Sequence, residues 1–446
     1  MAIPKARPFH SCVSDFKSGK DTPRAFLDRC LEAVATFEKD VGAFVVMDIE
    51  GAKAAADRST ERWRAGNPLS RIDGMPVGIK DIIDSVDLPT QMGSPIFDGW
   101  QAGRDAATTA ALREAGAVIL GKTVTTEFAA TFPGGTRNPW DAKRTPGGSS
   151  SGSAASVACG MVSAALGTQV IGSILRPASF CGVVGFKPTM GALNRGGSHD
   201  GLSQSAHGPL AASLEDAWLV AHEIARRVGG DPGFPGLYGG QEPPRASSPV
   251  RLAVLETAGW AVAEAGVKVA FAGALGKLEA KGVDLVRASS RKHVSALEAA
   301  LVRAVDVSRD INAWESLWPL NTYSIRYPGK LSQSMLDRLA DARKMSPDDY
   351  RALLVERERV RALYAELAGD CDACITLSAA GPAPVGLGST GNPVFNVPAS
   401  LLGTPALTLP VFMVDGLPVG LQLMGFKDRD ESLFRVAAWV RAGLGG

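Results

Sequence analysis

The sequence predicts an α/β fold built on a large, mixed, mostly parallel and twisted β-sheet with helices on both faces. Short apolar runs typical of buried strands alternate along the chain with longer segments of helical periodicity. The chain has 446 residues, of which 45% are hydrophobic and 21% charged, as in an ordinary globular protein. We therefore expect one domain over residues 1–446, with residues 229–345 as a candidate subdomain or excursion.

The first half of the chain contains clear signals for individual elements. Thr22 followed by Pro23 predicts the start of a helix, because a capping hydroxyl precedes proline at the first helical position. Further apolar patterns predict strands at 42–46, 76–83 and 117–120, helices at 49–63 and 106–115, and a loop at 125–136.

The second half continues the alternation after a break in regular structure. Ser213 to Asp216 resembles a capping box that opens a helix through Ala225. Residues 229–248 are rich in glycine and proline, which is typical of a linker. The pattern then predicts strands at 251–255, 283–286 and 375–377 and helices at 261–278, 294–305 and 347–367.

Charge and cysteine content exclude several classes of protein. Lys plus Arg number 47 and Asp plus Glu 46, so a broad basic face for nucleic acid or anionic membrane is not expected. No run approaches the ~18 apolar residues of a membrane span. The amino terminus lacks the apolar core of a secretory signal, and six cysteines do not form a disulfide framework. We expect a soluble cytoplasmic protein without nucleic-acid or membrane partners.

Three local patterns match known motifs without their structural context. Residues 116–123 fit a phosphate loop, yet residues 117–120 are an apolar strand that cannot wrap an anion. Gly386 to Gly391 fits G-x-G-x-x-G but is flanked by prolines, so we interpret it as a loop near a substrate. Cys371 and Cys374 form a lone CxxC without further zinc ligands. We expect neither a metal nor a cofactor.

Ser150 lies at the centre of a G-x-S-x-G pattern, which is typical of a hydrolase nucleophile. That mechanism requires a histidine downstream. His199 and His207 lie in polar loops and remain candidates, so a hydrolase based on Ser150 and histidine stays open as an alternative.

The chain contains five distinctive segments, at residues 74–81, 146–155, 167–189, 403–410 and 416–422. In this order along the chain they resemble the amidase signature family. A glycine- and serine-rich loop is followed by a second glycine-containing segment, with a lysine segment upstream and two strand-like segments near the carboxyl terminus. The resemblance runs from about residue 22 to 440 and is nearest in motif to the malonamidase-like branch. It implies the amidase signature fold.

The resemblance implies a catalytic triad of Lys80, Ser149 and Ser173. Ser173 matches the nucleophile, Ser149 the bridging serine and Lys80 the base, and the peptide bond of Ser149 is expected in the cis form. The chemistry agrees with these roles, because a serine hydroxyl needs a base to remove its proton. Lysine serves as a base only when neutral, and an apolar setting lowers its pKa.

The same resemblance implies an oxyanion hole formed by the backbone N–H groups of Val170, Ile171, Gly172 and Ser173. Ile171 departs from the family, which usually has glycine or alanine at this position. An isoleucine would be strained if the position required a positive φ. We expect either a different backbone here or a side chain that narrows the acyl pocket.

The candidate substrate-binding residues are Arg176, Gln169, Gly134 and Gly135. Arg176 stands one position later than the arginine of most of the family, as in the malonamidase-like branch, where it resembles a clamp for a free carboxylate. A guanidinium offers a planar fork of donors for such a group. The alternative is a structural arginine paired with an aspartate or glutamate. Gln169 replaces a common aspartate, as in the same branch.

The leading functional hypothesis is an amidohydrolase that cleaves the carbon–nitrogen bond of a small carboxamide through a Ser173 acyl-enzyme. The alternative within the family is the glutaminase (A) subunit of a tRNA-dependent amidotransferase, which works only in a complex. Gln169, Ile171 and the order Leu175-Arg176 favour the free-standing branch. The expected partner is a small amide substrate, and a homodimer is the one self-association that we consider.

Overall fold

The structure, a computed structural model, describes residues 2–445 and is organised around one sheet of 11 strands. The order across the sheet is first, third, second, fourth, sixth, fifth, tenth, eleventh, ninth, seventh and eighth strand. The strands are β1 (Phe44–Met47), β2 (Pro76–Lys80), β3 (Val118–Thr123), β4 (Ala164–Gln169), β5 (Val184–Lys187), β6 (Ala206–Ala211), β7 (Arg251–Val254), β8 (Asp284–Val286), β9 (Ala373–Leu377), β10 (Ala406–Val414) and β11 (Leu417–Met424).

The sheet is mixed, and the prediction that it is mostly parallel is wrong. Among the described strands, six neighbouring pairs are antiparallel and four are parallel. One antiparallel pair is a hairpin in which β10 and β11 are joined by Asp415 and Gly416, both with positive φ. An Asp-Gly pair is a hairpin signal, and alternation of strands and helices does not by itself set strand direction.

Helices cover the sheet and begin largely where capping side chains predict. Thr22 and Ser213 accept hydrogen bonds from backbone N–H groups three residues later, and Ser346 forms a capping box with Asp349. No helix within residues 2–445 is long and apolar enough to cross a membrane. The helices are α1 (Val13–Ser18), α2 (Pro23–Val41), α3 (Ile49–Arg64), α4 (Ala107–Glu114), α5 (Ser151–Ala158), α6 (Leu175–Cys181), α7 (Leu214–Val228), α8 (Ala265–Glu279), α9 (Lys292–Leu301), α10 (Ala304–Glu315), α11 (Leu317–Arg326), α12 (Gln333–Lys344), α13 (Pro347–Glu366), α14 (Val397–Leu401) and α15 (Asp430–Leu444).

Alternate residues of the strands belong to separate hydrophobic clusters, which shows that both faces of the sheet are buried. In β4, Ala164 and Leu166 join one cluster, while Ala165 between them joins another. In β9, Ile375 and Cys374 are divided in the same way. Because successive side chains of a strand point to opposite faces, the helices must cover both sides.

The predicted elements of residues 229–345 differ in detail from the observed ones. The helix expected over 261–278 begins at Ala265, after a short 3-10 helix at Ala258–Val262. The helix expected over 294–305 is divided into α9 and α10. Strands β7 and β8 of this segment lie at one edge of the same sheet.

The three motif-like patterns have the ordinary structures that their context predicts. Residues 118–123 form buried strand β3, so the phosphate-loop pattern lies within a strand. Residues 386–391 lie outside helices and strands. Cys371 and Cys374 are free thiols, and Cys374 lies within β9.

Candidate functional site

The candidate site lies where parallel strands β2 and β4 end side by side. These strands are hydrogen-bonded neighbours, so Lys80 at the end of β2 and Gln169 at the end of β4 reach the same edge of the sheet. Ser149 precedes α5, and Ser173 lies in the turn between β4 and α6. Crevices outside the carboxyl ends of parallel strands are common ligand sites.

Lys80 is fully buried, and its amine contacts two hydroxyl groups. Its Nζ donates to Ser149 Oγ at 2.7 Å and to Thr168 Oγ1 at 2.8 Å. Burial lowers the pKa of Lys80 to about 7, although the carboxylate of Asp200 acts in the opposite direction. A substantial fraction of this amine is therefore neutral near pH 7 and able to accept a proton.

The carboxylates that follow Lys80 in sequence are directed to other partners. Asp81 lies 3.4 Å from the amine of Lys122 and accepts a hydrogen bond from the backbone of Gln91. Asp84 lies 2.8 Å from Nε2 of His199. Neither carboxylate forms an ion pair with Lys80 among the described residues.

Ser149 and Ser173 lie on adjoining segments. The peptide bond between Gly148 and Ser149 is cis, as the sequence resemblance predicts. The backbone N–H of Ser150 donates to the carbonyl of Ser173 at 3.3 Å and joins the two segments. Within residues 2–445 no hydrogen bond connects the two hydroxyl groups, and catalytic contacts of this kind commonly shorten when substrate binds.

The turn before α6 presents backbone donors beside Ser173. No hydrogen bond is made by the N–H groups of residues 170–173 to any other described residue. The turn is held by Gln169, whose Oε1 accepts from the N–H groups of Ile174 and Leu175, each at 3.0 Å. Ile171 does not have a positive φ, so its side chain is accommodated without the strain considered above.

A cavity of about 420 Å³ opens in front of Ser173, which is 5% exposed. Its wall includes stacked rings of Phe128 and Tyr323, with centroids 5.2 Å apart. Ile171 also lines the cavity, as the acyl-pocket interpretation requires. The cavity-lining residues are Met92, Phe128, Ala129, Ala130, Thr131, Val170, Ile171, Ser173, Arg176, Ser198, His199, Asp200, Gly201, Leu202, Asn312, Glu315, Ser316, Trp318, Pro319, Leu320, Tyr323, Met335, Arg338, Thr390, Gly391 and Pro393.

Arg176 lines this cavity, and two of its three guanidinium nitrogens form hydrogen bonds. Its Nε donates to Thr390 O at 2.7 Å, and its Nη2 donates to Gly148 O at 2.7 Å and to Thr390 Oγ1 at 3.0 Å. Its Nη1 is buried without a partner, and none of the ion pairs between described residues involves this guanidinium. Burial lowers the pKa of Arg176 to about 10, which leaves it charged at neutral pH.

The other proposed binding residues lie elsewhere. Gln169 is fully buried, donates to Ser400 Oγ at 3.1 Å and is not among the cavity-lining residues. Gly134 and Gly135 line a separate cleft of about 10 Å³. The structure thus brings Arg176 to the cavity in front of Ser173 but not these three residues.

Sequence reasoning did not single out three residues of the site. Thr168 contacts the amine of Lys80, and its only signal was its place in the matching segment before Gln169. Thr390 contacts Arg176 from the loop that we interpreted as lying near a substrate, and this loop does line the cavity. Asp200 lines the cavity without any motif to indicate it.

Among the described residues, the hydroxyl group of Ser150 forms no hydrogen bond with a histidine. Its Oγ donates to Thr168 O at 3.3 Å, and the side chain is fully buried. His199 contacts Asp84, while His207 Nδ1 lies 3.4 Å from Thr108 Oγ1. The described residues therefore do not form the nucleophile and base pair that a Ser150 hydrolase requires.

Comparison with known proteins agrees with this geometry. A sequence model of the Amidase family matches residues 25–434, and the chain belongs to that family. A curated relative is the A subunit of the glutamyl-tRNA(Gln) amidotransferase of Salinispora arenicola, which is 30% identical over 476 residues. The match covers 96% of this chain and 94% of the relative.

Solved structures share the fold across nearly the whole chain. A crystal structure of an amidase has 29% sequence identity and a TM-score of 0.84, with 98% of this chain and 100% of that chain covered. Native peptide amidase from Stenotrophomonas maltophilia has 25% identity and a TM-score of 0.73, with 98% and 96% covered. The protein is thus an amide-hydrolysing enzyme on a large mixed sheet.

Proposed function

We propose that this protein is an amidohydrolase that cleaves a small carboxamide through an acyl-enzyme on Ser173. The observation that carries the proposal is the buried amine of Lys80, hydrogen-bonded to Ser149 Oγ behind the cavity that Ser173 lines. A neutral amine, a bridging hydroxyl and a nucleophile next to a ligand cavity are the parts that serine-based acyl transfer needs.

In the proposed reaction each of these groups has one role. Ser173 Oγ attacks the amide carbon while its proton passes through Ser149 to Lys80. The N–H groups of residues 170–173 stabilise the negative charge that develops on the carbonyl oxygen. The carbon–nitrogen bond then breaks, and the proton returns from Lys80 to the departing amine. Water then attacks the acyl carbon while its proton passes through Ser149 to Lys80. The bond between the acyl carbon and Ser173 Oγ breaks, Ser173 regains its proton from Lys80 through Ser149, and the carboxylic acid is released.

Arg176 supports a substrate with a free carboxylate. Its unpartnered Nη1 is a buried donor, and an unsatisfied donor of this kind costs free energy until an acceptor arrives. It lines the same cavity as Ser173, three residues along the chain. A short dicarboxylic half-amide would place its carboxylate at the guanidinium and its amide at Ser173.

The test is to trap the acyl group. Incubation with an amide library and hydroxylamine, followed by mass spectrometry, reports the acyl group as its hydroxamate. Ser173→Ala is expected to abolish both hydroxamate formation and hydrolysis, whereas Ser150→Ala should retain most of the activity because its hydroxyl is outside the relay. Activity that persists in Ser173→Ala and disappears in Ser150→Ala would contradict the proposal.

A second candidate is the glutaminase component of a tRNA-dependent amidotransferase. It is favoured by the similarity to amidotransferase A subunits, which extends over 94–96% of this chain. Size-exclusion chromatography of the single chain, combined with assays on simple amides, separates the candidates. A chain that hydrolyses simple amides without a partner supports the amidohydrolase, while dependence on other proteins of a complex supports the second candidate.

We also propose that the chain acts as a single unit. Residues 312–338, from the candidate subdomain, supply part of the wall of the cavity in front of Ser173. Removal of residues 229–345 would leave that cavity open on one side, so this segment is integral to the site.

A further inference from the structure

The proposed relay creates a positive charge in a buried place. When Lys80 accepts the proton of Ser173, an ammonium group forms at a side chain with no solvent exposure. An uncompensated buried ion is strongly unfavourable, so the transition state gains from an opposite charge nearby. The two hydroxyl groups that contact Lys80 carry no formal charge.

A backbone clamp holds the segment 197–200 against the residues that follow Lys80. Ile83 and Ser198 form an isolated antiparallel bridge. The N–H of His199 donates to Ile82 O at 3.0 Å, and the N–H of Asp84 donates to Gly197 O at 3.0 Å. Asp200 comes directly after this clamp, so its backbone lies beside the residues that follow Lys80. The charge of its carboxylate acts on the amine of Lys80 and raises the pKa of that amine.

The Asp200 carboxylate is oriented by two hydroxyl groups. Ser198 Oγ donates to Oδ1 at 2.6 Å, and Ser205 Oγ donates to Oδ2 at 2.7 Å. The residue is 4% exposed and lines the same cavity as Ser173. None of the ion pairs between described residues shorter than 4 Å involves it, so its charge is not already neutralised by a direct partner.

Burial acts to raise the pKa of Asp200, but the charge that His207 carries at low pH, the charge of Lys80 and the two serine hydroxyl groups hold it below its usual range. The residue is therefore ionised at neutral pH. His207 lies on the strand beside Thr168. Burial lowers the pKa of its imidazole to about 4, so this group is neutral at pH 7.

Several other charged groups, on the strand beside Lys80 and in the cavity, are held by contacts of their own. On β3, Lys122 donates to Thr90 Oγ1 at 2.6 Å and lies beside Asp81. Within the cavity, Glu315 accepts hydrogen bonds from the backbone N–H of Ser203 at 2.7 Å and from Tyr350 at 2.8 Å. His199 is directed to Asp84 and Arg176 to Thr390 and Gly148.

We propose that Asp200 is a positioning residue whose carboxylate is the counter-charge for the ammonium form of Lys80. This inference rests on the proposed function, because it concerns the proton that Lys80 takes from Ser173. Asp200 does not transfer the proton. It raises the proton affinity of Lys80 enough for the amine to remove the proton of a serine hydroxyl.

The test uses a serine-directed fluorophosphonate, so no natural substrate is needed. Ser173 Oγ forms a bond to phosphorus, fluoride leaves, and the serine proton passes to Lys80. The inactivation rate of the full-length protein should rise with pH as Lys80 loses its proton. In Asp200→Asn this rise should move to lower pH by about one unit or more, because an opposite charge has been removed. The plateau rate should fall, since Lys80 is then a weaker base.

Three further variants test whether the shift of the midpoint comes from the charge of Asp200. Glu315→Gln removes another carboxylate from the cavity and should leave the midpoint of the rise unchanged. Asp200→Glu keeps the charge and should keep the midpoint near that of the parent. Asp200→Ser supplies a second neutral replacement if the asparagine variant does not fold, as judged by circular dichroism.

The possible failures are distinguishable. Labelling of Ser173 together with an unmoved midpoint in the folded neutral variants would overturn the role of Asp200 and leave the amidohydrolase intact. An equal shift in Glu315→Gln would also overturn it, because the effect would then be that of any cavity charge. Absence of labelling at Ser173 in the parent would overturn both proposals.

Discussion

Two lysines at strand ends, Lys80 and Lys187, are both buried but have different surroundings. Neither is more than 1% exposed, and burial lowers the pKa of each to about 7. Lys187, at the end of β5, donates to the carbonyl of Pro188 at 2.8 Å. Its neighbouring carboxylate, Asp430, accepts hydrogen bonds from the backbone and the hydroxyl of Thr189.

The difference shows that burial produces a neutral amine but does not produce a general base. A base must contact a group that can pass it a proton, and a backbone carbonyl has no proton to pass. Lys80 contacts the hydroxyl group of Ser149, whereas Lys187 donates to a backbone carbonyl. The partner of the amine, and not its pKa, therefore separates the two sites.

The largest expected effect on activity comes from replacing each of the two lysines in turn. Lys80→Met should lower kcat/KM by about 10²–10⁴-fold, the usual contribution of a general base. Lys187→Met, a matched removal of a buried amine, should leave kcat/KM within about threefold of the parent, because its contacts lie outside the relay. Steady-state kinetics with thermal unfolding of both variants provides the measurement. Comparable losses of kcat/KM in the two folded variants would contradict the assignment of the base to Lys80 and not Lys187.

The expected pH dependence of activity follows from the pKa of Lys80. The activity of the parent should rise with pH through about 7, since only the neutral form of Lys80 accepts the serine proton. That rise should be retained in Lys187→Met. If activity still rose with pH through about 7 in Lys80→Met, another group would be responsible for the titration.

A smaller, selective effect is expected at Arg176. Arg176→Ala should raise KM for carboxylated amides by roughly thirty- to a hundredfold, because loss of a charge-assisted hydrogen bond costs about 2–3 kcal/mol. Neutral amides of similar size should be affected little. Thr390→Val is a control that removes a hydroxyl partner and keeps the guanidinium. A folded Arg176→Ala enzyme that discriminates between the two classes as the parent does would exclude the clamp.

The smallest expected effect is at Ile171. Its side chain lines the cavity beside the backbone donors, so Ile171→Gly should admit bulkier acyl groups and change their relative kcat/KM by about tenfold, the lower end of the effect of one methylene group in an apolar pocket. Competition between short and branched acyl amides measures this change. A uniform decrease for every substrate would instead indicate that the oxyanion turn had been disturbed.

Local signals in the sequence determined several elements and the chemistry of the site. Thr22, Ser213 and Ser346 cap helices because a side-chain oxygen satisfies an N–H group only three residues away. Lys80 and Ser173 were identified by resemblance to a family, and the structure places them at one edge of the sheet. Strand direction is predicted less well, because alternation of strands and helices does not set it and the hairpin signal Asp415-Gly416 bears on a single pair of strands.

Only the tertiary structure decided what surrounds these residues. Lys80 contacts Thr168 across 88 positions of sequence because parallel strands β2 and β4 end together. Asp200 reaches the site through a backbone clamp, and helices α11 and α12 close the cavity far from the motifs. Side-chain burial and hydrogen-bond partners depend on contacts between distant segments, so the pKa of Lys80 and the free donor of Arg176 become visible only in the folded chain.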